Sequence, residues 1–214
     1  HRLTYGTINT ISLRMFDYHI GVSDAMVQLL ISRGFNPQKL FSIYNGVAFP
    51  PEKPSLSRGE YLESLCVSYD EDTVVFGIAA RLNPVKDIAT LIRGFAGACR
   101  KCPNIRLVIA GDGEERQMLE SLAKETCPAG SVVFAGWVKD TDSFYHAIDV
   151  NMLTSLSEGA PYALVEGARM RCATIATSVG GIPYMMESGV TGLLFTPRDV
   201  ETLTSYMVRL VENP

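Results

Sequence analysis

The sequence has no long hydrophobic run, little histidine and no excess of positive charge. No apolar stretch approaches the ~20 residues of a membrane-spanning helix, so we expect no transmembrane segment. The formal net charge is -4 at pH 7, which argues against nucleic acid as a partner because such binding calls for a basic face. The chain starts at His1 without a signal-peptide pattern, so we expect a piece of a longer protein.

Catalytic-triad and metal-site patterns are also absent. No Ser-His-Asp or Cys-His arrangement is legible, and no acidic cluster has metal-ligand spacing. We interpret His19 and His146, which lie in apolar surroundings, as packing or surface residues. Cys99 and Cys102 form a CxxC without a second pair, and the five cysteines are an odd number. We therefore predict reduced cytoplasmic thiols rather than a zinc or redox site.

The stretch Ser157 to Gly167, SEGAPYALVEG, is the most informative part of the chain. It contains Glu158 and Glu166 with seven residues between them. Pro161 is favoured at the first position of a helix. We therefore predict that Glu158 lies in the loop before a helix and that Glu166 lies on its second turn.

The start of this predicted helix would form an anion site. Amides in the first turn of a helix have no helical partner, and the helix dipole favours negative charge there. The amides concerned are those of Tyr162, Ala163 and Leu164. A carboxylate on either side could accept hydrogen bonds from sugar hydroxyls. From spacing alone, Glu158 as a helix cap and Glu166 as a solvated surface acid explain the stretch equally well.

The later part of the chain alternates short apolar strands with longer helices, which predicts an α/β fold with a doubly wound parallel sheet. The predicted strands are Val74 to Ala79, Arg106 to Ala110, Val132 to Phe134, Val150 to Leu153, Thr174 to Thr177 and Leu193 to Phe195. Helices are predicted near Asp87, Glu114, Ser143, Pro161 and Asp199. Ligands of such sheets bind beyond the carboxyl ends of the strands. The residues expected to share that rim are Arg81, Gly111, Gly136 and Glu158.

The first part of the chain is predicted to form a smaller unit. Ser23 can cap a helix that Gly34 can close, between strand-like runs at Tyr18 to Val22 and Phe41 to Tyr44. The three prolines of AFPPEKPSLS indicate a linker, and we place the domain boundary between residues 48 and 49. A further helix is predicted from Ser57 to Tyr69.

Two basic residues, Arg81 and Lys86, follow the first strand of the predicted sheet in the run ARLNPVKD. An arginine fork and a lysine point charge are the usual partners of a diphosphate. The alternative is a pair of solvated loop residues. Asp87 adds an acid beside them, and we interpret it as a residue of the first turn of the next helix, where acids are favoured.

These motifs resemble those of retaining glycosyltransferases of family 4, which have the GT-B fold. Two glutamates with seven residues between them, as in SEGAPYALVEGAR, are the family's signature. The run ARLNPVKD resembles its Gly-Arg-Leu…Lys-Gly element, with Ala80 and Asp87 in place of the glycines. The triplet Asn45, Gly46 and Val47 resembles the end of the family's N-terminal domain.

The resemblance implies a remnant of an acceptor-binding domain in residues 1–48 and a nucleotide-sugar-binding domain in residues 49–214. The full enzyme would move a sugar from a donor such as a UDP- or GDP-sugar to an acceptor hydroxyl with retention, and would need no metal or other cofactor. The acceptor would be a sugar, a lipid-linked glycan or a polysaccharide. We expect a cytoplasmic protein, with the inner face of the membrane as a second location for the full enzyme. The chain alone should bind a nucleotide but transfer no sugar.

The resemblance also assigns roles to residues. Arg81 and Lys86 would hold the diphosphate, Glu158 would contact the donor sugar, and Glu166 would accept the ribose hydroxyls. Further donor-binding residues are Gly111, Gly136, Val138, Gly159, Tyr162, Ala163 and Leu164. The turn Gly111 to Gly113 and the loop at Gly180 and Gly181 are expected to be structural first. Trp137 is expected to pack rather than stack on a base, and Tyr184 stands where the family often has glutamate.

Three other functions stay open at this point. One is a nucleotide-sugar-binding module without turnover, because half of the expected cleft is missing. Another is an epimerase or phosphorylase of the same fold. A nicotinamide-dependent oxidoreductase is disfavoured, because the first strand of the predicted sheet is followed by ARLNPVKD rather than by a GxGxxG fingerprint.

Overall fold

A computed structural model of the protein describes residues 12–49 and 53–213. Its strands are β1 (His19–Gly21), β2 (Leu40–Ser42), β3 (Val74–Ala79), β4 (Ile105–Ala110), β5 (Val132–Gly136), β6 (Val150–Leu153), β7 (Ala173–Thr177) and β8 (Leu193–Phe195). β1 and β2 form a small parallel pair. The other six form one parallel sheet in the order β5-β4-β3-β6-β7-β8. The predicted α/β class is confirmed.

A helix lies between each pair of consecutive strands, and a last helix follows β8. The helices are α1 (Asp24–Ser32), α2 (Arg58–Ser64), α3 (Ile88–Cys99), α4 (Arg116–Thr126), α5 (Thr141–Ala147), α6 (Tyr162–Arg169), α7 (Ile182–Met185) and α8 (Val200–Glu212), and a 3-10 turn spans Pro37–Lys39. None of the helices in the described part of the chain is long and apolar enough to cross a membrane.

Both faces of the large sheet are buried because alternate strand residues point to opposite sides. On one face Phe76 and Leu107 pack against α3 and α8. α8 can approach α3 closely because Gly94 has no Cβ; a Cβ at this position would collide with the Leu203 side chain. On the other face Val75 and Val108 pack against α2 and α5. The near-continuous apolar strands of the sequence reflect this two-sided burial.

The observed element bounds differ from the predictions at a few points. Most strands of the large sheet agree within one or two residues, and β2 ends at Ser42, two residues short of the prediction. α2 ends at Ser64 rather than near Tyr69, because Cys66 takes a positive φ of 55° and turns the chain. The four-residue helix α7 was not predicted, because so short a segment has no periodic pattern to detect.

The first part of the chain packs against the loop and helix that follow β6. Ser23 caps α1 by accepting a hydrogen bond from the Met26 amide, and Gly34 follows the helix with φ 82°, as predicted. The side chain of Asn45 donates to the carbonyl of Ala160 across 2.8 Å. Arg169 Nη1 donates to the carbonyl of Ala48 across 3.0 Å. The boundary between residues 48 and 49 stays a prediction.

Candidate functional site

The loops that follow β3, β4 and β5 are joined at the carboxyl edge of the sheet. The amide of Gly111 donates to the carbonyl of Gly136 at 2.7 Å, and the amide of Leu82 donates to the backbone carbonyl of Asp112 at 3.0 Å. Gly111 has a φ of 137°, and a Cβ there would overlap the carbonyl oxygen of Ala80. Glycine is therefore required for this packing. A contact between Gly111 or Gly136 and a nucleotide stays a prediction.

The loop after β6 is fixed against the loop after β3. The amide of Leu156 donates to the carbonyl of Val85 at 2.7 Å. The hydroxyl of Thr154 donates to the carbonyl of Lys86 at 2.9 Å. These bonds bring the ARLNPVKD run next to the SEGAPYALVEG stretch. The four residues predicted to share one rim, Arg81, Gly111, Gly136 and Glu158, accordingly lie on adjoining loops.

Lys86 and Glu158 form an ion pair at the centre of this rim. Lys86 Nζ donates to Glu158 Oε1 at 2.6 Å, and the two side chains are 27% and 10% exposed. The hydroxyl of Ser155 donates to the same oxygen at 2.6 Å. Within the described residues, Glu158 Oε2 receives no hydrogen bond. One carboxylate oxygen is thus held by the protein and the other is available to a ligand.

Arg81 is the cation of the rim that no acid of the described residues neutralises. Its side chain is exposed and makes no hydrogen bond or ion pair with any of them. A guanidinium in this state can form a bidentate pair with phosphate oxygens. That Arg81 and Lys86 hold a diphosphate stays a prediction. Lys86 already forms an ion pair with Glu158.

The helix α6 begins one residue later than predicted. Pro161 is the residue before the first helical turn, with an extended ψ of 126°, so it occupies the cap rather than the first helical position. No side chain caps the helix. The amide of Leu164 donates to the carbonyl of Pro161 at 3.2 Å, so the prediction of three free amides is wrong for Leu164. The amides of Tyr162 and Ala163 have no acceptor in the described chain.

Glu166 lies on the second turn of α6, as predicted, but it is half-buried and anchored rather than solvated. The Tyr145 hydroxyl donates to Glu166 Oε2 across 3.2 Å. Asn151 Nδ2 donates to the Ala163 carbonyl across 2.9 Å. Neither Tyr145 nor Asn151 was predicted at the site. The isolated asparagine in the apolar strand VNML was the one available signal, since a buried polar residue must find a partner.

Two glycines after β7 allow the next loop to pack directly on the glutamate motif. Gly180 has a φ of 54°, and a Cβ there would overlap the carbonyl oxygen of Glu158. A Cβ on Gly181 would overlap the carbonyl oxygen of Gly159 and approach Ser23. The predicted tight loop is present, and it fixes the backbone on both sides of Glu158.

Two side chains near the rim, those of Trp137 and Asp87, depart from the predictions. Trp137 is 78% exposed, so the prediction that it packs is wrong, whereas its neighbour Val138 is partly buried. Asp87 precedes α3 instead of lying in its first turn, and it has a positive φ of 46° at the position where the family has glycine. Its carboxylate accepts a hydrogen bond from the Thr90 hydroxyl at 2.8 Å. Tyr184 is 55% exposed.

The cysteines and the two histidines in the described part of the chain, His19 and His146, form no further site. All five cysteines are free thiols. Burial raises the pKa of Cys99 to about 11 and that of Cys172 to about 12, so both stay protonated near neutral pH. His19 packs edge-on against Phe35 at 5.0 Å and His146 is exposed, as predicted. No group of three His, Cys, Asp or Glu residues in the described ranges could hold a metal ion.

Comparisons with known proteins identify the family. The family profile described as glycosyl transferases group 1 matches residues 67–214. The chain is 31% identical over 202 residues to an uncharacterized glycosyltransferase of Methanocaldococcus jannaschii, MJ1607, and covers 50% of it. It is 25% identical to an Escherichia coli protein named UDP-Gal:alpha-D-GlcNAc-diphosphoundecaprenol alpha-1,3-galactosyltransferase. That match spans 83% of this chain and 46% of the E. coli protein.

A solved structure gives the same result for the fold. Anabaena Alr3699/HepE, crystallised with UDP and glucose, superimposes with a TM-score of 0.81 at 25% identity. The match covers 92% of this chain and 54% of that one, so the chain spans about half the length of these proteins. The chain belongs to the glycosyl transferases group 1 family, and its large sheet is the Rossmann-like half of a GT-B fold.

Proposed function

We propose that this chain is the donor-binding part of a retaining glycosyltransferase of family 4 that uses a nucleoside diphosphate sugar. The observation that carries the proposal is the convergence on one rim of exposed Arg81, the Lys86–Glu158 pair and the uncapped start of α6. Two cations and unpaired helix amides suit a diphosphate, and a carboxylate oxygen without a partner suits sugar hydroxyls.

UDP is the proposed nucleotide, in preference to GDP. Two observations support this choice: Anabaena HepE has been crystallised with UDP-glucose, and the E. coli relative is named as a UDP-Gal-dependent galactosyltransferase. Gly136 and Val138 are the proposed base contacts, on the loop that also carries the exposed Trp137. The acceptor proposed earlier, a sugar, a lipid-linked glycan or a polysaccharide, would bind to the preceding domain.

In the proposed reaction the protein stabilises the charge that develops on the departing diphosphate, which is usually the largest catalytic contribution. Arg81 and the amides of Tyr162 and Ala163 would contact the phosphates. Lys86 would be shared between the diphosphate and Glu158, because the carboxylate already accepts a hydrogen bond from its ammonium group. Glu158 Oε2 would orient the donor sugar, Gly159 would allow its close approach, and Glu166 would accept the ribose hydroxyls.

The proposed location is the cytoplasm or the inner face of its membrane, where thiols stay reduced, and the five free cysteines support it. No metal or cofactor is assigned a role in the proposed reaction. Holding two reactants together can supply ~7–11 kcal/mol of a barrier. We therefore expect the chain alone to bind a nucleotide without transferring sugar.

Calorimetric titration with UDP, GDP, ADP and uridine tests the proposal. Arg81→Ala should weaken UDP binding by roughly tenfold to a hundredfold, because a hydrogen bond to a charged group contributes about 1.5–3 kcal/mol. Its effect on uridine should be small. Arg209→Ala is the matched control, since this exposed arginine lies in the last turn of α8. Equal losses of UDP and uridine in Arg81→Ala would remove Arg81 from the phosphate role.

The same titrations separate the alternatives. Failure of every nucleoside diphosphate to bind would refute the donor site itself. A labelled UDP-sugar, incubated with the full-length protein and simple acceptors, distinguishes transfer from binding without turnover. An epimerase would convert the donor sugar with no acceptor present, and a phosphorylase would require inorganic phosphate.

A further inference from the structure

Two buried polar side chains lie beneath α6 and contact its first two turns. Tyr145 of α5 is 1% exposed and Asn151 of β6 is fully buried. The Tyr145 hydroxyl is 3.2 Å from Glu166 Oε2 and 3.4 Å from the carbonyl oxygen of Ala163. Asn151 Nδ2 is 2.9 Å from the same carbonyl. The helix that carries the second glutamate is therefore anchored by polar groups from two other elements.

The hydroxyl of Tyr145 has one proton to donate and two acceptors within reach. Glu166 is the nearer acceptor, and a charged acceptor makes the stronger hydrogen bond. The Ala163 carbonyl already accepts a hydrogen bond from Asn151. Burial, with the Glu166 carboxylate as the second cause, raises the pKa of Tyr145, so its hydroxyl stays a neutral donor. The proton of Tyr145 is therefore directed to Glu166.

Packing fixes the position of this hydroxyl. The Tyr145 ring lies 5.0 Å from the Phe144 ring in an edge-to-face arrangement, inside the apolar cluster that includes Val75 and Ile148. Glu166, in contrast, is a flexible half-buried side chain whose carboxylate has no other hydrogen-bond donor among the described residues. Its side-chain position depends on Tyr145.

We infer that Tyr145 is a positioning residue for nucleotide recognition: it holds Oε2 of Glu166 and leaves Oε1 to accept ribose hydroxyls. This inference rests on the proposed function, in which Glu166 receives the ribose. Ordering a glutamate side chain costs entropy, and preorganisation removes that cost from binding. Tyr145 thus sets the discrimination between ribose and deoxyribose without touching the nucleotide.

The test compares Tyr145→Phe with Tyr61→Phe. Tyr61 is the matched control because it is a buried tyrosine of the same cluster, packed on Phe144, whose hydroxyl has no hydrogen-bond partner in the described structure. The dissociation constants of UDP and 2′,3′-dideoxy-UDP are measured for each protein by calorimetry. The discrimination ratio is the dissociation constant of 2′,3′-dideoxy-UDP divided by that of UDP. Tyr145→Phe should reduce this ratio by about threefold to tenfold, the effect of one hydrogen bond. Tyr61→Phe should leave the ratio unchanged.

Each outcome decides a separate point. Wild-type protein that binds neither ligand would refute the proposed function, and the ribose role of Glu166 with it. Wild type that binds both ligands equally would refute the ribose role alone. If wild type discriminates and Tyr145→Phe keeps the full ratio, or weakens both ligands equally, the inference is overturned.

A second variant guards against a general effect of Tyr145→Phe on folding. In a Glu166→Ala background, Tyr145→Phe should change the ratio no further, because the carboxylate through which it acts is gone. An additional loss of discrimination in that background would show that Tyr145 acts by another route and would overturn the inference.

Discussion

The ion pair between Lys86 and Glu158 should stabilise the fold as well as the site. We predict that Lys86→Met, Glu158→Gln and the double variant will show a coupling free energy of unfolding of about 1.5–3 kcal/mol, the range for hydrogen bonds to charged groups. The reason is burial: the Glu158 side chain is only 10% exposed and Lys86 only 27%. With Lys86 removed, this carboxylate keeps one donor among the residues that the structure describes, the Ser155 hydroxyl.

Urea unfolding of the four proteins gives the coupling energy through a double-mutant cycle. In thermal unfolding, a change of about 2 kcal/mol would shift the melting temperature by about 4–8 °C in a domain of this size. The internal control is the pair Arg116–Glu120, which has a similar separation of 2.8 Å but side chains that are 33% and 45% exposed. Its coupling should be only about 0.3–0.5 kcal/mol.

Two results would refute the reasoning about Lys86 and Glu158. A coupling no larger than that of the Arg116–Glu120 control would mean that water screens the pair despite its burial. A more stable Lys86→Met variant would mean that desolvation of the two charges exceeds their attraction, as happens for some buried pairs. In either case the pair would be retained for ligand binding alone.

Three further predictions follow from backbone packing, burial and the linker. Gly180→Ala should destabilise the protein by more than about 3 kcal/mol, because the added Cβ would overlap the Glu158 carbonyl. Gly189→Ala is also at positive φ but in open space, so it should cost only about 1–2 kcal/mol. Chemical unfolding measures both free energies, and equal losses would contradict the overlap between the Gly180→Ala Cβ and the Glu158 carbonyl. Burial raises the pKa of Cys99 from 9.0 to about 11, so stability should fall as pH rises from 9 to 11, because the unfolded chain releases the thiol proton first. The slope of the unfolding free energy against pH reports the number of protons released on unfolding, and Cys99→Ala should reduce that number by roughly one. An unchanged slope would refute the assignment of this pH dependence to Cys99. Arg169→Ala, which removes the hydrogen bonds to the carbonyls of Ala48 and Phe49, should speed limited proteolysis between residues 48 and 57 without speeding cleavage elsewhere. An unchanged cleavage rate would show that Arg169 does not hold the linker.

The sheet could be predicted from the sequence because its strands are buried on both faces. Runs such as VVFGIA and IRLVIA can satisfy two apolar layers only in the middle of a parallel sheet, and they alternate with helical segments of sufficient length. The order of loops at the carboxyl edge follows from that topology. Four residues could therefore be assigned to one rim from the sequence alone: Arg81, Gly111, Gly136 and Glu158.

The contacts within the rim could not be predicted, because they depend on side-chain directions across distant elements. Tyr145 is 21 residues from Glu166, and its apolar surroundings give no sign that its hydroxyl reaches a carboxylate. Trp137 was predicted to pack, yet it is 78% exposed and directly follows Gly136, which has a positive φ of 68°. The amide of Leu164 found a partner because Pro161 occupies the cap and its carbonyl faces the helix.

The helix α6, which carries the second glutamate of the motif, is attached at both of its ends to residues that precede the large sheet. Asn45 binds the Ala160 carbonyl just before α6, and Arg169, the last residue of α6, binds the Ala48 carbonyl and Asp142. Asn45 and Ala48 are only three positions apart, whereas the helix between Ala160 and Arg169 carries Glu166 and the amides of Tyr162 and Ala163. A displacement of the residues around Asn45 must therefore either break these bonds or move the helix with them. The geometry of the proposed diphosphate site is thus coupled to the position of the chain that precedes the large sheet.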